Sequence, residues 1–350
     1  MTRNKKFLII VLVMISLLIG LFLASLFIGS SNMPFIDTLK AFIFKGTDAQ
    51  NRIIWRIRMP RILAGIVCGG GLALAGLVMQ TVLNNEMASP STLGVSNAAV
   101  FGANLSILIF STGLSSSNAL KDTIASANPY QTSLFAFFFA FLSIVVILLL
   151  SNIKAFNEST IVLIGVTMAA VWTALTTLIQ YFAEDIGISQ AVIWNIGDLS
   201  RATYKTDIIL SIVVLISIVI TTILSFKYNS LLLGLDQAIS SGVNVKVIRI
   251  ISLVITSLIT ACAVSFFGII SFVGLVAPHI VKRLFGYDHK KTIPITILCG
   301  SILLLFSDTL ARSITNGTSL PVGVVMALIG APFFLFLLFT KRGSIYHVKN

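Results

Sequence analysis

Charged residues are scarce in this sequence. Of its 350 residues, 10% are Asp, Glu, Lys or Arg, whereas 57% are hydrophobic. A water-soluble domain carries roughly 25% charged residues, so this chain lacks the polar coat that such a domain needs. Lys and Arg outnumber Asp and Glu by 24 to 12, but they lie in short loops between apolar segments. This pattern indicates membrane topology rather than a nucleic-acid-binding face.

Cysteines and catalytic motifs are also sparse. The three cysteines, Cys68, Cys262 and Cys299, each lie in an apolar segment and form no CxxC pair. The sequence therefore suggests neither a disulfide framework nor a metal site. No GxxxxGK[ST] phosphate loop is present, so the chain cannot be its own ATPase. No nucleophile–base pair stands out, and we expect neither catalysis nor a bound cofactor or metal.

Apolar segments long enough to cross a bilayer recur along the whole chain. A spanning helix needs about 20 mostly apolar residues. A shorter apolar piece, 270–284, adds a tenth segment to nine clear ones. The nine are 7–28, 61–82, 93–113, 132–151, 160–182, 207–226, 246–268, 293–312 and 322–340. We predict one all-α polytopic membrane domain over residues 1–350, with about ten transmembrane helices and a serine-rich outside loop at 114–130.

The distribution of basic residues predicts the orientation. Ten crossings put both termini on one side, and with that side cytoplasmic more than half of the basic residues fall in cytoplasmic loops, as the positive-inside rule favours. The exception is the first outside loop, which carries Lys40, Lys45, Arg52, Arg56, Arg58 and Arg61. A basic cluster on the disfavoured side predicts an acidic partner outside the cell.

Asp308 and Arg312 are charged residues inside an apolar segment. A charge within a membrane helix should be paired or face water. These two side chains are four positions apart, so they can pair along one helix face. Two interpretations remain open: the pair is structural, or Arg312 points outward and joins the external basic cluster.

Small residues form a stripe in the second apolar segment. Gly65, Gly69 and Ala73 recur at every fourth position, with Gly76 near the same stripe. Small residues at this spacing allow helix backbones to approach closely in lipid. The stripe predicts tight helix packing rather than a chemical site.

The segment Leu231–Arg249 contains a short helix that we place in the cytoplasm. Asp236 suits the first turn of this helix and Gly242 its end. The apolar residues Leu235, Ala238 and Ile239 would share one face with no lipid to bury them. Such a face favours docking to another protein; the alternative is a helix lying on the membrane surface.

Several segments resemble the iron-siderophore and vitamin B12 permease family of bacterial ABC importers, the FecCD type. The resemblance is strongest over residues 58–338, and the matching segments follow one another in family order. They read RMPRILAGIVCGGGLALAGLVMQ, ASPSTLGVSNAA, LGLDQAISSGVNV, FVGLVAPHI, DTLAR and LPVGVVMALIGAPFFLFLL.

The resemblance implies a vitamin B12 permease-like bundle of the type II importer class in a bacterial cell membrane. It implies a second permease subunit, identical or related, two cytoplasmic ATPase subunits that hold ATP and magnesium, and an extracytoplasmic substrate-binding lipoprotein. The implied cargo is a ferric siderophore, with haem or cobalamin as the alternative. A rival of another class, an ion-driven secondary transporter, requires intramembrane ion ligands that the sequence does not show.

Site residues follow from the resemblance only where the motifs align. The arginines that would meet the binding protein fall on Arg58, Arg61 and Arg312, with Arg56 as an addition. ATPase coupling falls on the loop at about 231–245, which contains Leu235, Asp236, Ala238, Ile239 and Gly242. The cytoplasmic gate falls on Asn85, Met87, Glu158 and Ser159. The family usually has Asn-Pro-Leu-Ala at the first gate turn, and Glu86 replaces the proline here.

Overall fold

The structure is a computed structural model that describes residues 3–29, 33–110, 129–153, 157–314 and 319–339. Helices form almost all of these ranges. One isolated bridge joins Ile196 and Ile269. The helices α1 to α15 of these ranges are, in order, Arg3–Phe27, Phe35–Phe42, Asp48–Arg52, Met59–Val82, Val95–Phe110, Pro129–Ile153, Glu158–Tyr181, Asp185–Asn195, Tyr204–Ile223, Ser225–Leu232, Leu235–Ser240, Val245–Phe267, Val273–Phe285, His289–Ser313 and Val322–Phe339. A π-helical turn, Ile53–Arg58, leads into α4, and a 3-10 turn, Leu199–Arg201, precedes α9.

The predicted all-α membrane fold is confirmed. Within the described ranges, seven helical stretches are long and apolar enough to cross a bilayer. They belong to α1, α4 with its preceding turns, α6, α7, α9, α12 and α14. The helices α5 and α15 contain shorter apolar stretches, and α13 corresponds to the short tenth segment. Most of the serine-rich loop predicted at 114–130 lies outside the described residues.

Local sequence signals fix several helix starts and ends. The side chain of Asn157 accepts a hydrogen bond from the Ser159 N–H at the start of α7. Asn244 caps α12 in the same way, and Thr203 forms a capping box at the start of α9. These side chains satisfy backbone N–H groups that the first turn of a helix leaves unpaired.

The helix α4 lies at the centre of the bundle and contacts α9, α12, α13 and α14. The predicted role of its small-residue stripe in packing is confirmed. A Cβ atom at Gly69 would overlap the backbone of Gly300 in α14, and one at Gly76 would overlap Gly274 in α13. Close approach at these two crossings therefore requires glycine.

The helices α4 and α14 run antiparallel, which defines two ends of the bundle. Arg61 of α4 contacts Asp308 of α14 at one end, and Thr81 of α4 contacts His289 of α14 at the other. We call the first the Asp308 end. The second holds α11 and the first turn of α12, which line an open groove. We call it the groove end.

Candidate functional site

The Asp308 end contains a buried cluster of ion pairs. Arg61 Nε donates a hydrogen bond to Asp308 Oδ1 at 2.9 Å, and Arg312 Nε lies 3.0 Å from Asp308 Oδ2. Arg61 Nη2 also lies 3.8 Å from Asp198 Oδ1. Two carboxylates thus balance two guanidinium groups, as burial of charge requires. The structural pairing of Asp308 with Arg312 is confirmed.

Arg312 of this cluster and the nearby Arg58 cap the last turn of α1. Arg312 Nη1 donates to the carbonyls of Ser25 at 3.1 Å and Ile28 at 2.9 Å. Arg58 Nη1 donates to the carbonyls of Leu26 and Phe27. A helix C-terminus has unpaired carbonyls and a partial negative charge, so positive side chains stabilise it. The cluster therefore holds α1, α4 and α14 together.

The four arginines predicted to meet a binding protein do not share one surface. Arg58, Arg61 and Arg312 are buried, with 3%, 6% and 4% of their surface exposed, whereas Arg56 is exposed. Within the π-helical turn, Ile54 and Arg58, four positions apart, are buried, and Arg56 between them is exposed. Arg56 is therefore the exposed member of the four, and docking of these arginines to a binding protein remains a prediction.

At the groove end, α11 presents apolar side chains to the surface. Leu235 is 45% exposed and Ile239 is 62% exposed, and both line an open groove of about 590 Å³ with the first turn of α12. Gly242, which also lines the groove, has φ +76°, a conformation that strains any residue with a Cβ atom. The predicted short helix with an unburied apolar face is thus present.

Ala238 does not belong to that exposed face. Its side chain is fully buried, and its carbonyl accepts a hydrogen bond from the Val243 N–H. The sequence pattern places Ala238 on one apolar face with Leu235 and Ile239, but Ala238 lies at the edge of that face that packs against the bundle. Asp236 is exposed beside the groove residues. Leu235, Asp236 and Ile239 are therefore accessible to a partner, whereas Ala238 packs α11 against the rest of the bundle.

Arg249 joins the groove to the ends of two other helices at the groove end. Its side chain lines the groove, its Nε donates to the carbonyl of Val82 at 3.1 Å, and its Nη2 forms a salt bridge with Glu158. Val82 ends α4 and Glu158 begins α7. The sequence motifs do not single out Arg249. The available signal was its position inside the apolar segment 246–268.

The predicted gate residues lie on two segments that touch. Asn85 and Met87 belong to the turn after α4, where Asn85 Oδ1 accepts from the Met87 N–H at 2.9 Å. Glu158 and Ser159 begin α7. A Cβ atom at Gly94 would overlap the backbone of Ala169, so the α4–α5 connection packs directly on α7. Met87 and Ser159 are exposed, and their gating role stays a prediction.

Glu86 lies beside a set of polar residues on α4 and α13. One of its carboxylate oxygens is 4.0 Å from His279 Nδ1. The buried Lys282 donates to Gln80 Oε1 at 2.9 Å, and Gln80 Nε2 donates to the carbonyl of Gly274 at 3.3 Å. Sequence reasoning missed these contacts because they join residues far apart in the chain.

A second polar chain crosses the groove end from α4 to α10. Thr81 Oγ1 lies 2.8 Å from His289 Nε2, and His289 Nδ1 lies 2.9 Å from Asn229 Oδ1. Asn229 donates to Asp288, the cap of α14. Partial burial opposes ionisation of Asp288, but hydrogen bonds from Asn229 and Lys290 and the nearby lysine charges hold its pKa below the usual range. The carboxylate therefore stays charged at neutral pH.

Metal-ligating side chains do not gather in the part of the chain that the structure describes. No three His, Cys, Asp or Glu residues in these ranges are placed to hold a metal ion. The two candidate sites are therefore built from ion pairs, hydrogen bonds and an apolar groove.

Known proteins resemble this chain over nearly all of its length. The FecCD transport family matches residues 17–340. A putative ABC transporter permease protein of Methanocaldococcus jannaschii is 42% identical over 93% of each chain. A probable iron chelatin transport system permease protein of Helicobacter pylori is 33% identical over 83% of each chain. A hemin transport system permease protein of Yersinia pestis is 30% identical over 91% of this chain and 93% of its own.

A solved structure supports the same relationship in three dimensions. It shows an inward-facing conformation of a putative metal-chelate type ABC transporter and superposes with a TM-score of 0.80. The two chains are 26% identical, and the match covers 95% of this chain and 99% of the other. The likeness therefore extends over the whole helix bundle.

Proposed function

This chain belongs to the FecCD transport family, and we propose that it is the permease subunit of an ATP-driven importer for a ferric siderophore. The match over residues 17–340 carries the permease assignment. The relative named for iron chelatin transport supports an iron chelate as cargo. The chain acts in the cell membrane as a multi-pass transport subunit, with ATP hydrolysis supplied by a partner.

The groove end is the proposed cytoplasmic docking site for the ATPase. Leu235 and Ile239 expose apolar surface that lipid would not cover in a cytoplasmic loop. The groove of about 590 Å³ beside them offers room for a helix or loop of the partner. On this assignment both termini lie in the cytoplasm.

The Asp308 end is then extracytoplasmic and faces the substrate-binding lipoprotein. Arg56 presents its charge at this end, while Arg58, Arg61 and Arg312 hold the helices beneath it. A second permease subunit, identical or related, completes the pathway between the two chains. Nucleotide binding in the ATPases shifts the coupling loop, and the cytoplasmic gate at Asn85, Met87, Glu158 and Ser159 opens and closes in response.

Haem is the second candidate cargo, because the Yersinia pestis relative is named for hemin transport. The test is uptake by the complete complex, reconstituted in liposomes with its ATPase and binding protein. Each vesicle preparation receives a labelled ferric hydroxamate siderophore, haem or cobalamin. We expect ATP-dependent uptake of the siderophore. Uptake of haem or cobalamin alone would overturn the cargo, and uptake without the ATPase would overturn the transporter class.

A further inference from the structure

We propose that Arg249 is the positioning residue through which a partner bound in the groove moves the inner ends of α4 and α7. The inference deepens the proposed function and rests on it in one respect, namely that the groove receives the ATPase. The residue itself is identified by its contacts. Its guanidinium group is the point where the groove, the end of α4 and the start of α7 meet.

The contacts of Arg249 are directional and buried. The side chain is 6% exposed, and the partner carboxylate of Glu158 is 25% exposed. A guanidinium group offers several donors in a rigid plane, so one side chain holds the Val82 carbonyl and the Glu158 carboxylate at once. In such a partly dry site a charge-assisted hydrogen bond is stronger than in water. Movement of the first turn of α12 therefore pulls on both neighbours.

The chain between the groove and Arg249 is short. The helix α11 ends at Ser240, Gly242 turns the chain, and α12 begins at Val245. Arg249 follows in the first turns of α12, so displacement of α11 reaches it through a few residues. On its far side, Val82 leads into the α4–α5 turn and Glu158 starts α7. The two segments that carry the predicted gate residues therefore both begin at a residue that Arg249 contacts.

Lys246 provides a matched control on the same helix. It also lines the groove and lies three positions before Arg249, but its Nζ donates to Asn152 Oδ1 of α6 at 2.7 Å. Replacement of Lys246 removes a positive charge from the same surface without touching the contacts to Val82 and Glu158. If the loss of a positive charge alone impaired transport, replacement of Lys246 would therefore impair it as much as replacement of Arg249.

The experiment measures motion and ATP hydrolysis in the same reconstituted complex. Spin labels are placed at M87C and S159C, two exposed positions, while the native cysteines of the described residues are buried and stay unlabelled. We expect the label distance to change on ATP addition in the parent and in Lys246→Met. In Arg249→Met we expect the change to be lost while ATP hydrolysis continues, and uptake per ATP to fall about tenfold.

Two further variants separate positioning from folding. Arg249→Lys keeps the charge and should retain part of the distance change, even if Arg249→Met assembles poorly. The charge swap Arg249→Glu with Glu158→Arg should recover part of the uptake per ATP that each single change loses. An unchanged distance response in Arg249→Met would overturn the inference. A proportional loss of ATP hydrolysis and uptake in every Arg249 variant, without recovery in the swap, would also overturn it.

The outcomes distinguish this inference from the proposed cargo. If the complex moves no ferric siderophore but the label distance still responds to ATP through Arg249, the cargo assignment fails and the inference stands. If the parent complex transports the siderophore and Arg249→Met responds like Lys246→Met, the inference fails and the function stands. If ATP changes no distance in the parent, Arg249 does not relay motion from the groove.

Discussion

Arg61 and Asp308, 247 positions apart in the sequence, form a buried hydrogen bond of 2.9 Å between Nε and Oδ1. The pair joins the start of α4 to the end of α14. Arg312, one helical turn beyond Asp308 in α14, pairs with the other oxygen of the same carboxylate. A single fully buried carboxylate therefore pairs with two guanidinium groups, and the Asp308 end depends on it.

Replacement of this carboxylate should destabilise the protein. We expect Asp308→Asn to lower the free energy of unfolding by about 3–5 kcal/mol, because it leaves two buried cations without their shared partner. Thermal unfolding of the purified protein in detergent measures the change. Asp48→Asn, at an exposed position in α3, is the control. Equal unfolding midpoints for the two variants would contradict the structural role of Asp308.

The orientation of the bundle can be tested with single cysteines. Arg56 and Ile239 are exposed at opposite ends, and the native cysteines Cys68, Cys262 and Cys299 are buried. An impermeant maleimide added to whole cells should label R56C and leave I239C unlabelled until the membrane is opened. The reverse pattern would place the groove end outside the cell and exclude ATPase docking there.

Arg56 is the exposed member of the four predicted docking arginines. We expect Arg56→Glu to reduce stimulation of ATP hydrolysis by the loaded binding protein, because an acidic partner would then meet a negative charge. The effect should shrink at high salt, as screened surface charges require. Lys205→Glu makes the same charge change at another exposed position of this end. Unchanged stimulation in Arg56→Glu would remove Arg56 from the docking surface.

The exposed face of α11 should carry part of the affinity for the ATPase. We expect Leu235→Ser with Ile239→Ser to weaken binding of the ATPase at least about tenfold, because each apolar side chain buried at an interface contributes roughly 1.5–3 kcal/mol. Affinity measured in detergent solution tests this. Leu233→Ser is the control, since Leu233 is 69% exposed but does not line the groove. Equal affinity for the double variant and the control would contradict docking at this face.

The membrane fold follows from the sequence because a helix that crosses the bilayer needs about 20 mostly apolar residues. Even the short segment 270–284 appears as the helix α13. The small-residue stripe also predicts close helix packing, and Gly69 and Gly76 do lie against glycines of other helices. These features depend on composition and spacing within one segment, which the sequence displays directly.

Whether each arginine is buried or exposed could not be predicted in the same way. Arg56, Arg58 and Arg61 are close in sequence, and positive charge alone does not tell which face of a helix each side chain takes. The packing of the turn Ile53–Arg58 against the rest of the bundle leaves Arg56 exposed and Arg58 buried. The salt bridge from Arg249 to Glu158 spans 91 positions, so it depends on packing that a single sequence does not reveal.

Dependence of transport on ATP hydrolysis tests the central claim most directly. Liposomes containing the complete complex receive ATP at the ATPase side and a labelled ferric hydroxamate siderophore at the binding-protein side. We predict accumulation of label that stops when the ATPase carries an inactivating change in its own phosphate loop. Accumulation that continues with the inactive ATPase, or that follows an imposed proton or sodium gradient instead, would contradict the account.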